Sequence, residues 1–357
     1  APQVILNFAC PDEITRRGVE SKVTALAEKG YRTLGVARRE TDGEWRFLGL
    51  LPLFDPPRDD AIETIERAKA MGIEVRMVTG DNTAIALEIA RKLHLGTNIL
   101  PAGEIFDADG RLHDNERIEQ ADGFAEIFPE HKFKIVQELQ SHGHIVGMTG
   151  DGVNDAPALK QADMGIAVSG ATDAARAAAD LVLTESGLYV ITHAVEEARK
   201  IFERMNSYAV FRIAETIRVL FFMTLSILVF NFYPVTAVMI VLLAILNDFP
   251  IMMIAYDNAR ASELPVRWDM HQVLTLSIAL GIMGVISSFG LLWIGEEYLH
   301  LSRDVIQTLI FLKLLVAGHF TIYLTRNTGT FWDRPWPNWR LIVTTEGTQV
   351  LGTLAAV

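Results

Sequence analysis

The feature that most constrains this 357-residue chain is where its apolar residues fall. Four apolar runs, at about 208–231, 235–256, 273–294 and 305–325, are each long enough for a membrane-crossing helix of about 20 residues. A fifth begins near Leu341, is shorter and carries Glu346. Residues 1–205 read as ordinary charged globular sequence, so a chain of this kind folds as a soluble part joined to a membrane part. Basic residues sort to one side of the runs. The segment 257–272 carries Arg260 and Arg267, and 326–340 carries Arg326, Arg334 and Arg340. The opposite connections are Tyr233-Pro234, with no basic residue, and 295–302, with Glu296 and Glu297, flanked by Arg303. The positive side is the side of the soluble part, which is therefore expected to be cytoplasmic.

Bulk properties narrow the functional classes. A net charge of −12 leaves no basic stripe to meet phosphate backbones, so a nucleic-acid partner is not expected. The single cysteine, Cys10, excludes an internal disulfide and reads as a small buried residue. The chain opens without an initiator Met, a basic segment or a signal-type apolar core, and it stops inside an apolar stretch; a longer polypeptide is the expectation.

Within the soluble part, residues 1–52 offer a short strand at 4–8, a helix at 14–29 and strands at 33–38 and 45–51, the end of one domain. Asp55-Pro56-Pro57-Arg58 then interrupts regular structure, because two prolines neither continue a strand nor sit inside a helix. From 53 to 205 strands and helices alternate: helix 60–71, strand 73–78, helix 83–93, a helix ending at Gln140, a buried strand at 144–147, short strands at 163–168 and 181–183, and a helix at 171–179. The stretch 96–120 carries little signal. Alternation of this kind predicts a parallel sheet with helices on both faces. The remainder, 206–357, is the membrane domain.

Three polar points sit at element ends. Strand 73–78 ends in Thr79-Gly80-Asp81, a helix opens at Phe128-Pro129-Glu130-His131-Lys132, and strand 144–147 delivers Met148-Thr149-Gly150-Asp151-Gly152-Val153-Asn154-Asp155-Ala156-Pro157. Strand ends are where open α/β sheets keep their chemistry. Asp151 and Asp155, four residues apart on a turn held by Gly150 and Gly152, can face one point and hold a hard cation such as Mg²⁺ through oxygen, with Asn154 beside them. The plainer alternative is a solvated Gly/Asp turn, with Thr79 a turn hydroxyl and Lys132 a surface amine. A hydroxyl, an ammonium and a carboxylate-bound metal together are what a phosphoryl group needs around it.

In the membrane part, Asp248 lies near the middle of its run, where an unpaired carboxylate costs at least a few kcal/mol. Asn247 precedes it, and Pro250 is expected to open the helix locally and make room for a polar cavity. Arg218 lies inside the preceding run with Glu215 one turn earlier, which also suits a structural pair. Lys313 and His319, on 305–325, suit snorkelling or interhelical bonding.

Taken together these residues resemble the P-type ATPases, and most closely the proton-pumping branch of plasma membranes. The resemblance rests on Asp55-Pro56-Pro57-Arg58, Met77-Val78-Thr79-Gly80-Asp81, Phe128 to Lys132, the run 148–157, and Ala244-Ile245-Leu246-Asn247-Asp248, and it covers nearly the whole chain. It implies a haloacid dehalogenase-like phosphorylation domain followed by an α-helical transmembrane bundle, in a multi-pass protein of the plasma membrane. It implies that Thr79, with Gly80, contacts the phosphoryl group, that Lys132 neutralises it, and that Asp151 and Asp155, with Asn154, hold or orient Mg²⁺. Arg58 and Asp81 would lie near ATP or the domain hinge. Asp248, beside Asn247, would be the proton carrier, and Arg218 would discourage backflow. The implied partners are ATP, protons, the lipid bilayer and an N-terminal part of the same polypeptide.

The departures are specific. No Asp-Lys-Thr-Gly-Thr segment occurs, so the phosphorylated aspartate is absent and the chain alone is expected not to turn over ATP. Asn327-Thr328-Gly329-Thr330 is a superficial echo, and Ala1-Pro2 looks like the remainder of a nucleotide-site motif whose lysine is missing. A pump for Na⁺, K⁺ or Ca²⁺, or a non-catalytic membrane protein with an interaction or regulatory role, are the alternatives. Dehydrated cations want six or more oxygens, and Asn247 and Asp248 are nearly alone at mid-membrane, which favours a proton.

Overall fold

A computed structural model describes residues 2–9, 12–39, 43–107, 109–112, 115–327 and 333–356. Ala1, Cys10 and residues 328–330 of the Asn-Thr-Gly-Thr echo lie outside the described residues. The chain divides into two compact units, Ala1–His193 and Ala194–Val357.

The first unit opens with α1 (Pro2–Ala9), where a strand at 4–8 was expected. The buried residues explain the difference: Pro2, Leu6 and Ala9 recur at helical spacing, while Val4 and Phe8 are 56% and 48% exposed. α2 (Glu13–Ala27) is capped by the Asp12 side chain, which accepts the Thr15 N–H at 2.6 Å. β1 (Tyr31–Arg38) and β2 (Arg46–Phe54) form an antiparallel hairpin, and the Asp55-Pro56-Pro57 segment ends it. α1 packs on β1 at Gly35, where an added Cβ would meet the Pro2 backbone at 3.0 Å.

The rest of this unit is parallel α/β. In order come α3 (Ala61–Ala70), β3 (Met77–Val78), α4 (Thr83–Lys92), β4 (Ile99–Pro101), α5 (Ala102–Ile105), α6 (Asn115–Gln120), β5 (Gly123–Ala125) and α7 (Pro129–Ser141). β6 (Gly147–Gly150), α8 (Ala156–Gln161), β7 (Met164–Ala167), α9 (Asp173–Ala178) and β8 (Leu181–Val182) follow. The strands make two parallel sheets of three, in the orders β3-β5-β4 and β6-β7-β8, rather than one continuous sheet. β5, the middle strand of the first, follows directly on the stretch 96–120 that was silent in the sequence.

The strand expected at 144–147 is displaced onto the motif itself. Ile145 is 74% exposed, and the ladder to β7 begins at Gly147 and runs to Gly150. α7 serves both sheets with adjacent residues. Ile135 joins the cluster around Phe124 and Ile127, and Val136 joins Ala158 and Ala162, with Val146 and Met148 packed against them. That shared helix fixes the ends of β5 and β6 relative to one another.

In the second unit the helices are α10 (Tyr189–Phe230), α11 (Ala237–Met253), α12 (Met270–Trp293), α13 (Arg303–Thr325) and α14 (Trp339–Ala356). α10 is 42 residues long and begins well before the apolar run at 208. Among the described residues, four helices are long and apolar enough to cross a membrane: α10, α11 with its following 3₁₀ turn, α12 with its following π turn, and α13. α11 is not opened by Pro250; the helix continues through it to Met253 before tightening into the turn Ile254–Tyr256. The missing proline N–H leaves the Leu246 carbonyl without its helical donor, and His319 of α13 approaches that carbonyl without meeting hydrogen-bond geometry. The core is formed by Phe222, Leu246, Leu314 and Leu315 among others. At one end Asp257 is buried, ion-paired with Arg326, and accepts the Asn338 N–H at 2.8 Å, while its carbonyl takes Arg204 Nε at 2.7 Å.

Candidate phosphoryl and membrane sites

The soluble site is built where β3, β5 and β6 end. β3 passes its last pairing to Thr79, whose N–H donates to the Phe124 carbonyl of β5 at 2.9 Å. The chain leaving β5 returns the bond: Ile127 N–H donates to the Thr79 carbonyl at 3.0 Å, and Glu126 N–H to the Asp81 carbonyl at 2.9 Å. Glu126 takes a left-handed conformation, φ 58°, to do so. Its carboxylate accepts Asn82 Nδ2 at 3.1 Å and Thr83 Oγ1 at 3.1 Å, which ties down the start of α4. Three residues after Glu126, Pro129 starts α7 as a proline at its first turn, with Lys132 in that same turn. His131 stacks on Phe106, ring centroids 4.0 Å apart, and its pKa is lowered by burial and by Lys134, against the pull of Glu130.

Lys132 Nζ reaches Asp155 Oδ1 at 2.7 Å. Asp155 is 5% exposed, and its other oxygen accepts the N–H groups of Asp151 at 3.2 Å and Gly152 at 3.1 Å. Burial works to raise the Asp155 pKa. The Lys132 hydrogen bond and charge and the two N–H donors outweigh it and hold the carboxyl below its ordinary value. Gly150 is required by this packing, since a Cβ there would lie 2.5 Å from Asp155 Cβ. The glycine–aspartate turn is thus not merely solvated: one carboxylate is spent on orienting a lysine. Asp151 and Asn154 are exposed on the same turn, and the Asp151 carbonyl accepts the Thr172 N–H at 2.9 Å.

Asp81 is engaged differently. Thr79 Oγ1 lies 3.1 Å from its carboxylate, and Arg32 of β1 grips it with two bonds of 2.8 Å. Arg32 and Glu126 went unnoticed in the sequence; the only signal was an arginine at the head of a β-strand and an acidic residue following an apolar triplet. Arg58 stands apart from this group, exposed and ion-paired with Asp60 at 3.1 Å. Gly80 is exposed and packs within 3.4 Å of the Ile127 carbonyl if given a Cβ.

The donor chemistry suits a hard cation. Asp151 offers a free carboxylate at the turn, and Asp155 is already oriented by Lys132 and by backbone. No cluster of three acidic, histidine or cysteine ligands occurs among the described residues, so these two carboxylates would supply only part of the coordination sphere Mg²⁺ demands.

In the membrane unit, Glu215 and Arg218 of α10 form the ion pair their spacing suggested, 3.6 Å apart, both buried. Asn247 of α11 donates to Glu215 Oε1 at 2.6 Å, and Arg218 Nη1 donates to Thr321 of α13 at 3.3 Å. Asp248, one residue on from Asn247, is exposed. Lys313 bonds across to α12, to the Gly284 carbonyl at 3.2 Å and to Ser288 Oγ. Gly281 and Gly284 let α10 approach α12, since Cβ atoms there would meet Ile217 at 2.7 Å and Arg218 at 2.6 Å.

Comparison with known proteins gives a consistent picture. A family model for haloacid dehalogenase-like hydrolases matches residues 11–163. A protein of Methanocaldococcus jannaschii, provisionally named a cation-transporting ATPase, is 54% identical across 100% of this chain and 45% of its own length. Plasma membrane ATPase 1 of Saccharomyces cerevisiae is 41% identical across 99% of this chain and 40% of its own, and the plasma membrane ATPase of Kluyveromyces lactis is 42% identical across 93% and 37%. The chain thus spans less than half the length of these relatives.

Proposed function

This chain belongs to the P-type ATPases, and from that membership we propose that it is the C-terminal part of a multi-pass plasma-membrane pump that exports protons at the expense of ATP. The reaction would pass through an aspartyl-phosphate formed on residues outside this chain, which alone would not turn over ATP. The observation that carries the reading is the 2.7 Å bond from Lys132 to the buried Asp155 at the strand ends, with an unspent Asp151 carboxylate beside it.

Each residue then has a task. Lys132 neutralises phosphoryl oxygens, held in place by Asp155. Thr79 presents its hydroxyl from the end of β3, and the Arg32–Asp81 pair holds the turn that follows. Asp151 and Asp155 would hold Mg²⁺, which would supply charge neutralisation at the phosphoryl group. β3 and β6 each pair on one side only among the described residues, and both end at this site. An additional strand on either edge would deliver a nucleophile to the same point.

For the transported ion, the Arg218 guanidinium buried against Asn247 and Glu215 favours a proton over a metal cation, which would need about six oxygens and would be repelled by the arginine. Asp248 is the proposed carrier. Its exposure in this chain leaves it available to helices contributed by the rest of the polypeptide. A pump for another cation is the competing reading, supported by the carboxylate and amide oxygens that Glu215 and Asn247 gather. Purified full-length protein in sealed vesicles decides between them. Internal acidification on adding Mg-ATP without Na⁺, K⁺ or Ca²⁺ supports the proton, and activity that requires one of those ions sinks it.

A further inference from the structure

The membrane unit buries a carboxylate, Glu215, that has no part in the proton path outlined above. Glu215 is 6% exposed, and Arg218 and Asn247 are 3% exposed each. Oε1 of Glu215 is occupied by the Asn247 amide at 2.6 Å, with Arg218 at 3.6 Å. Oε2 has Arg212 at 3.9 Å and no hydrogen bond. Nε and Nη2 of Arg218 and Oδ1 of Asn247 likewise lack a hydrogen bond among the described residues. Two of these atoms face Gly318 of α13: a Cβ there would stand 3.3 Å from Arg218 Nη2 and 3.4 Å from Asn247 Oδ1. Arg218 Nη2 and Asn247 Oδ1, unpaired beside Gly318, form a polar set that bridging water or a hydrated proton satisfies, and Glu215 Oε2 is buried and unpaired in the neighbouring ion pair. On its other side Glu215 lines a groove of about 280 Å³, with Thr216, Ile240 and Ala244 on its walls.

We propose that Glu215 is a second transport carboxylate, which takes the proton on Oε2 from water in the groove and gives it up to the polar set around Gly318. The proposal rests on the proton-export reading. On uptake, an O–H bond forms at Oε2 as one breaks in a hydronium ion, which leaves as water; release reverses both, so no oxidant or further reactant is needed. With Oε1 held by Asn247 and guanidiniums on both sides, Oε2 has room for a proton, which needs one oxygen, and not for a metal ion, which needs about six. The charged groups facing it are Arg212 and Arg218 from α10 and Asp248 from α11, while Lys313 and His319 of α13 lie by Arg218. α12 presents glycine and serine there, and Glu346 of α14 lies by Tyr323.

The test is made in the full-length pump in sealed vesicles, with phosphoenzyme labelling and proton uptake measured together. Glu215→Gln should lower uptake about a hundredfold, in line with loss of a proton-transferring group, while labelling stays near normal. Glu215→Asp should restore part of the uptake, and infrared spectra should lose a deuterium-sensitive carboxyl band in Glu215→Gln alone. Uptake at the normal rate in Glu215→Gln, with Asp248→Asn inactive, overturns this inference and leaves proton export standing. Failure of the unaltered protein to take up protons overturns both. Should Glu215→Gln not fold, Gly318→Ala decides: closing the space should abolish uptake with labelling intact, and normal uptake overturns the proposal.

Discussion

Lys132 and Asp155 lie 23 residues apart in sequence and 2.7 Å apart in space, the lysine on the first turn of α7 and the aspartate on the turn after β6. Each is the other's main polar partner at the site. Replacing Lys132 with Met leaves a buried carboxylate with backbone donors only, and should lower the stability of the chain by about 2 kcal/mol, the scale of a charged hydrogen bond. Urea titration in detergent, followed by circular dichroism, measures it; an unchanged midpoint would mean that the bond contributes nothing.

The same bond sets a pH dependence. The folded-state pKa of Asp155 is depressed, so its stabilising contribution is complete above the ordinary carboxyl value of 3.8 and is lost as pH falls through the lower folded value. Acid unfolding should therefore carry a contribution below about pH 4 that disappears in Asp155→Asn. Superimposable acid-unfolding profiles, apart from an offset at neutral pH, contradict this.

Gly150→Ala should act through Asp155. The new Cβ would sit 2.5 Å from Asp155 Cβ, so the turn must shift and Lys132 lose its anchor. In the full-length protein we expect phosphoenzyme formation to fall by about tenfold or more, since misplacing a positioned group by about 1 Å is that costly. Gly152→Ala is the control, because a Cβ there meets nothing closer than 3.6 Å. Equal effects of the two substitutions would refute the packing argument.

Arg32 should separate stability from function. Its side chain is 56% exposed, so Arg32→Ala should cost no more than about 1 kcal/mol. It nevertheless frees Asp81 and, through it, the Thr79 hydroxyl. Labelling by ATP should decline well beyond what the stability loss explains, and labelling that follows stability alone would remove Arg32 from the site.

What the sequence made legible follows from the length of its signals. The apolar runs of the membrane unit span many turns, and α10 to α13 fall on them, although α10 begins well before its run, at Tyr189. Thr79, Lys132 and Asp155 stand at element ends punctuated by glycine and proline. Short elements were harder: β3 and β5 have two and three paired residues, too few to show a period. α1 was misread because eight apolar-rich residues fit strand or helix until Leu6 and Ala9 find something to pack on. Long-range partners were out of reach altogether. Nothing near Arg32 in the sequence points to Asp81, 49 residues on, and nothing near Glu215 points to Asn247.

The most direct test of the account is proton uptake by the full-length protein carrying Asp248→Asn, assayed beside the unaltered protein in sealed vesicles with Mg-ATP. The account predicts that phosphoenzyme still forms while uptake falls to background, because the phosphoryl site is intact and the carrier carboxylate is gone. Uptake at the unaltered rate would contradict it.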